Sequence, residues 1–169
     1  MDPDHYIVMS MHYVWDSEAD GEADQTEMQF KIQDDVDTEL FMATLGVEGF
    51  SIPPNSMSYS DSQVIPVSVF PEFETFKIHS VLPHMHQLGA EFEMVVRHAD
   101  GSETCGLSGD YSFDNQIGYL FREPIDIRPN DIITLSCIWD NPTDQTITFG
   151  ERTDEEMCLF FAMIEFRSR

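Results

Sequence analysis

Lysine is almost missing from this sequence: only Lys31 and Lys77 occur in 169 residues. Eight Lys plus Arg face 32 Asp plus Glu, a formal net charge of −24. A chain so poor in cations repels phosphate backbones and anionic lipid headgroups, so charge argues against nucleic acid and membrane surfaces as partners. Cations, metal ions among them, are attracted. No apolar run reaches the roughly 18 residues of a transmembrane helix. The opening MDPDHYIVMSMHYVW has neither a basic stretch nor a cleavage site, so no signal peptide is expected in this chain. It enters a strand-like pattern almost at once, as a domain cut from a longer parent would. No CxxC occurs, which argues against a zinc ribbon or a thioredoxin-like pair. No GxSxG occurs, no base stands near Cys105, and nothing among the many acids selects a glycosidase pair. The three cysteines, Cys105, Cys137 and Cys158, leave at least one unpaired. One disulfide plus one thiol suits export; three reduced thiols suit the cytosol.

What is present is period-two alternation. About two fifths of the residues are hydrophobic (41%), enough for a core. Tyr6, Val8, Ser10, His12 and Val14 share one strand face; Ile7, Met9, Met11, Tyr13 and Trp15 share the other. MQFKIQ, VIPVSVF, FETFKIHSVL, EFEMVVRH, PIDI, DIITLSCIW, TITFG and MCLFFAMIEF continue the series, with turn signals at IPPNS, ADGS, RPND and DNPTD. ADGS reads as a hairpin turn. DDVDTELFMAT fits a short helix, and FMATLGV fits a strand equally well. Many short strands and few helical windows predict an all-β fold, an antiparallel β-sandwich of jelly-roll type.

Two stretches carry metal chemistry. In PHMHQLG, His84 and His86 stand at i and i+2, so on a strand both imidazoles leave the same face and can converge on one ion. The same spacing also suits two hydrogen-bonded histidines with no metal. In GERTDEEMCLFF, Met157 opens an apolar strand, where methionine is ordinarily core filler. As a ligand, its soft thioether would favour Cu(I) beside two imidazoles. Asp154, Glu155 and Glu156 precede it and are expected near the site. DSEADGEADQTE, residues 16–27, approaches a calcium-loop template: Asp16, Glu18, Asp20, Glu22, Asp24 and Glu27 take the ligand offsets around Gly21. Its flanks read as strands rather than the helices of an EF-hand, so a solvated acidic loop competes with a calcium site. His79 is expected at the surface or in the core, His98 exposed before its turn, and His5 inert.

PHMHQLG, then FREPIDIRPNDIITLSCIWDN, then GERTDEEMC occur in the order and spacing of one family. The chain resembles the C-terminal domain of copper type II, ascorbate-dependent monooxygenases, the family of peptidylglycine α-hydroxylating monooxygenase and dopamine β-hydroxylase and their bacterial relatives. The resemblance is strong over about residues 60–166 and weaker upstream. It implies that His84, His86 and Met157 bind one catalytic copper that activates dioxygen, with ascorbate as electron donor. It implies a disulfide between Cys137 and Cys158 and an exported, periplasmic or extracellular, parent protein. Cys105 has no counterpart. The family's second copper is held in the preceding domain by three histidines, one in a Val-His-Tyr strand that HYIVMSMHYVW resembles, which makes His12 its remnant. The other two are an adjacent pair, and this chain has no His-His pair.

These readings place the end of a preceding domain, or an extension packed on the sandwich, in residues 1–55, and the copper domain in residues 56–169. The expected function is the oxygen-activating half of a monooxygenase that hydroxylates a C–H bond of a small-molecule or peptide substrate. The electron-transferring N-terminal domain of a longer parent is an expected partner. A non-enzymatic copper module for storage, delivery or sensing is the alternative, favoured by the missing pair. A β-sandwich interaction domain without a working metal site is the third.

Overall fold

The computed structural model describes residues 8–9, 23, 25–32, 35–69 and 75–166. The chain divides into two units, Met1–Asp35 and Val36–Arg169. In the first, the described residues form no regular element. The strand expected from MQFKIQ is not formed: Met28, Phe30 and Ile32 alternate in sequence but are all exposed, with no ladder partner to give the alternation a buried side. Of the strand expected over residues 6–15 only Val8 and Met9 are described, both exposed and in no regular element; His12 and His5 lie outside the described residues, as does most of the acidic loop.

The second unit is an antiparallel β-sandwich. Among the described residues ten strands follow one another: β1 (Phe41–Gly46), β2 (Ser51–Ile52), β3 (Ser56–Pro66), β4 (Phe76–His84), β5 (Gly89–Arg97), β6 (Glu103–Asp110), β7 (Tyr119–Ile127), β8 (Ile132–Asn141), β9 (Ile147–Thr148) and β10 (Leu159–Phe166). One four-stranded sheet has the order β1-β10-β4-β7, a second β3-β8-β5-β6, and β2 pairs with β9. Residues 41–46, which fit helix or strand in sequence, form β1 and pair along their length with β10. The ADGS hairpin joins β5 to β6.

Alternation builds the core. On β8, Ile133, Leu135, Cys137 and Trp139 are buried; on β10, Phe160, Ala162 and Ile164; on β5, Phe92, Met94 and Val96. The sheets are also tied covalently, because Cys137 on β8 bonds to Cys158 just before β10. Cys105 is the thiol left over, and it is exposed.

β4 shows why parity counted from sequence misleads. Phe76 and Ile78 face the core, and so do Val81 and Pro83. Between them the register shifts against both β10 and β7, so His79 is an extra residue in a bulge. The bulge resets the alternation, leaving His79 and His84 both off the core side. His79 Nε2 meets Glu165 Oε2 at 2.7 Å. His98, expected exposed, is only 18% exposed in its side chain. Its Nδ1 lies 3.0 Å from the buried Asp131 carboxylate and its Nε2 2.9 Å from Thr104 Oγ1, so the histidine pins the β5–β6 turn to the loop before β8.

Candidate metal centre

β10 runs antiparallel to β4, with Leu159 opposite His84 and Phe161 opposite Leu82. Continuing that register two residues past β10 sets Met157 opposite His86. PHMHQLG and the DEEMC run therefore meet at one end of the first sheet, although some 70 residues separate them in sequence (|i−j| of 70 for His86 and Glu156).

What joins them is the carboxylate of Glu156, which is 1% exposed. Its Oε2 accepts the backbone N–H of His86 at 2.9 Å, the indole Nε1–H of Trp139 at 3.1 Å and the N–H of Met157 at 3.2 Å. Its Oε1 accepts the N–H of Leu88 at 2.7 Å. Four N–H donors converge on one acceptor-only group, as such a group requires when buried. Burial pushes this carboxyl above the usual carboxylate range, while the N–H groups of Leu88, His86 and Met157 and the nearby His86 ring pull the other way.

The imidazoles are set by the same run. His86 is 6% exposed, and its Nδ1 lies 2.9 Å from the carbonyl oxygen of Glu155. A carbonyl only accepts, so Nδ1 carries the proton and the Nε2 lone pair is left for a ligand. His84 Nδ1 lies 2.8 Å from the amide oxygen of Gln116, in the loop between β6 and β7, and the same reasoning opens its Nε2. The two ring centroids are 5.4 Å apart and nearly perpendicular. Phe161 stands 6.0 Å from the His84 ring and Phe113 6.4 Å from that of His86. Met157, two residues before β10, is half-buried, and the alternation with buried Cys158 and Phe160 puts it in phase with Leu159 and Phe161.

Two glycines let these loops close. Any Cβ on Gly150 would collide with the Glu155 carboxylate folded back over it. A Cβ on Gly89 would stand 2.7 Å from both Met85 Cβ and a Tyr111 ring carbon. Gly89 also closes the histidine turn, its N–H reaching His86 O at 3.2 Å, while the Tyr111 hydroxyl donates to Met85 O beneath. Burial raises the Tyr111 hydroxyl above its ordinary range.

The donor set fits copper better than a hard ion. Among the described residues, no three His, Cys, Asp or Glu side chains group as a metal site. Two open imidazole nitrogens with a thioether in register are a soft, nitrogen–sulfur set, the kind copper takes. Of the three acids expected near the site, only Glu156 turns its carboxylate toward it. Asp154 is held at the surface by a two-bond pair with Arg152, which keeps its carboxyl below the usual range. Glu155 contributes its backbone carbonyl. Sequence reasoning missed the anchoring by Glu156, the contact of Gln116 with His84 and the indole of Trp139. Only Glu156 had a signal, its place beside Met157. The calcium idea finds no support: Asp16, Glu18, Asp20, Glu22 and Asp24 lie outside the described residues, and Glu27 is exposed.

Residues 39–165 match the model of the copper type II ascorbate-dependent monooxygenase, C-terminal domain.

Proposed function

We propose, from the premise that the chain belongs to the copper type II ascorbate-dependent monooxygenase family as its C-terminal domain, that His84, His86 and Met157 hold one copper ion. Copper held there would supply dioxygen activation for hydroxylation of a substrate C–H bond, with ascorbate as reductant. The observation that carries the assignment is the bond from His86 Nδ1 to Glu155 O, which leaves Nε2 open beside a second open imidazole. The chain's own residues orient this set. Glu156 ties the His86–Leu88 backbone to Met157 and to Trp139, so the donors of two distant segments move as one piece. The disulfide fixes the residue next to Met157 to the opposite sheet. Phe113 and Phe161 flank the imidazoles with apolar rings. The disulfide also supports export into an oxidising compartment.

The absence of any adjacent His-His pair in the 169 residues favours a second reading, a copper-holding module that does no chemistry by itself. His12 as a remnant of a second copper site belongs with the enzyme reading and would need ligands from a preceding domain.

Anaerobic Cu(I) titration of the purified chain tests the site. One tight equivalent is expected, lost in the His84→Ala/His86→Ala double variant. Met157→Ile should weaken Cu(I) by at least about tenfold and Cu(II) much less, because only the soft ion favours sulfur. Stoichiometric binding untouched by these changes would overturn the assignment. Ascorbate-dependent oxygen uptake by the loaded chain separates the two readings: uptake supports the enzyme, and its absence with or without the N-terminal partner supports the module.

A further inference from the structure

The outer face of the first sheet carries a groove of 620 Å³ lined by Met42, Ser80, Val81, Leu82, Gly118, Leu120, Phe161 and Met163. No charged side chain lines it, in a chain where 24% of residues are charged. Its size is that of a small-molecule site. Two of its members are strongly exposed, Met42 at 67% and Leu120 at 80%. Isolated exposed apolar residues are ordinary, but a contiguous face of them marks a binding surface.

The groove adjoins the candidate metal centre at Phe161. Leu82 precedes His84 by two residues on the same face of β4 and pairs with Phe161. The Phe161 ring belongs to both places, lining the groove and standing 6.0 Å from the His84 imidazole. Leu159, opposite His84, extends the apolar strip toward Met157.

We infer that this groove receives the uncharged hydrocarbon or aromatic part of the substrate and presents it to the His84–His86–Met157 site. The inference rests on the copper reading and names the substrate class for it. No cation or hydrogen-bonding cluster in the groove recognises a carboxylate, ammonium or phosphate. A substrate is held there by apolar burial, worth roughly 25 cal/mol per Å².

The test uses the full chain and two aromatic probes of similar shape, neutral ethylbenzene and protonated phenethylamine, which is one heavy atom longer. The net charge of −24 attracts the cation, so a preference for the neutral probe is the groove's own. Displacement of the neutral dye N-phenyl-1-naphthylamine from the copper-free chain reads binding. Ethylbenzene should compete and phenethylamine should not. Leu120→Glu and Met42→Glu, both at exposed positions, should each weaken ethylbenzene by about tenfold or more. With Cu(II) bound, the proton resonances of ethylbenzene should broaden in the wild type and sharpen in Leu120→Glu. Failure of copper loading shows in the Cu(I) titration and overturns both readings. Normal loading with no binding, with a preference for phenethylamine, or with binding free of copper broadening overturns the groove proposal alone. So does a dimer that dissociates in Leu120→Glu while ethylbenzene fails to bind, which would make this face a contact between copies.

Discussion

The two sheets bury similar inner faces and present opposite outer ones. On the second sheet the outward positions of β5 are Glu91, Glu93, Val95 and Arg97, facing Ile138, Ser136, Thr134 and Ile132 of β8, with Ser60, Ser62 and Val64 of β3 beyond. That is a mixed polar surface, the usual solvated side of an antiparallel sheet. On the first sheet the outward positions toward the His84 end are Met42, Leu159, Phe161, Met163, Ser80, Leu82, His84 and Leu120, while Lys77, His79, Asp126 and Glu165 occupy the other end. Solvation alone does not select such a row in a chain with four times as many acids as bases (32 against 8). The difference teaches where to look for function: the candidate metal ligands stand at the apolar end of the first sheet's outer face.

The largest effect on this arrangement should come from cutting the bond between the sheets. Cys137 and Cys158 are 1% and 0% exposed, and their link spans 21 residues of sequence. Replacing both with alanine should cost roughly 3 kcal/mol, read as a lower urea midpoint, from the unfolded chain's regained freedom. Because Cys158 adjoins Met157, Cu(I) affinity should fall as well, whereas the polar outer face of β3 and β8 keeps its ladder. A loss of stability with copper affinity unchanged would show that Met157 is positioned without the disulfide.

Next in size is the Glu156 anchor. Glu156→Gln keeps an oxygen for the three donors at Oε2 but turns an amide N–H₂ against the Leu88 N–H. That substitution should cost about 1–3 kcal/mol, the penalty of one buried donor left unpaired. Since Leu88 lies two residues beyond His86, Cu(I) binding should weaken in Gln and weaken further in Glu156→Ala, which frees all four donors. Thermal unfolding and Cu(I) titration on the same samples check this. Equal copper affinity in all three proteins would reduce Glu156 to a structural group.

Much of this was legible beforehand, and the failures have physical causes. Alternation located β4, β5, β8 and β10 because each buries one face against the other sheet. It did not locate most of β3, where SMSYSDSQ has no apolar face to announce, since β3 is an edge strand paired only to β8. It over-read MQFKIQ, because alternation reports a face and not a partner. The order β1-β10-β4-β7 against β3-β8-β5-β6, with crossings between the two sheets after β3, β4, β6 and β7, makes the antiparallel sandwich that alternation predicted. At the site, resemblance supplied the candidate copper ligands and the Cys137–Cys158 pairing, and the latter is present. The role of Gln116 was invisible, because a loop glutamine gains its meaning from a contact 32 residues away. The shared face of His79 and His84 was equally hidden, because a one-residue bulge leaves no mark in composition.

The smallest expected effect is also the most direct test of the two faces against each other. Leu120 on the first sheet and Val64 on the second are both exposed, at 80% and 51%. Glutamate at either position meets water and no buried neighbour, so each single change should stay within about 0.5 kcal/mol of the parent in urea unfolding. Their effects on the neutral naphthylamine dye should differ. Leu120→Glu places a charge in the apolar groove and should abolish most of the fluorescence rise. Val64→Glu adds the same charge among Ser62, Thr134 and Ser136 and should leave the rise intact. Equal quenching would mean that the dye senses the chain's overall negative charge, and the two outer faces would then differ in composition without differing in what they bind.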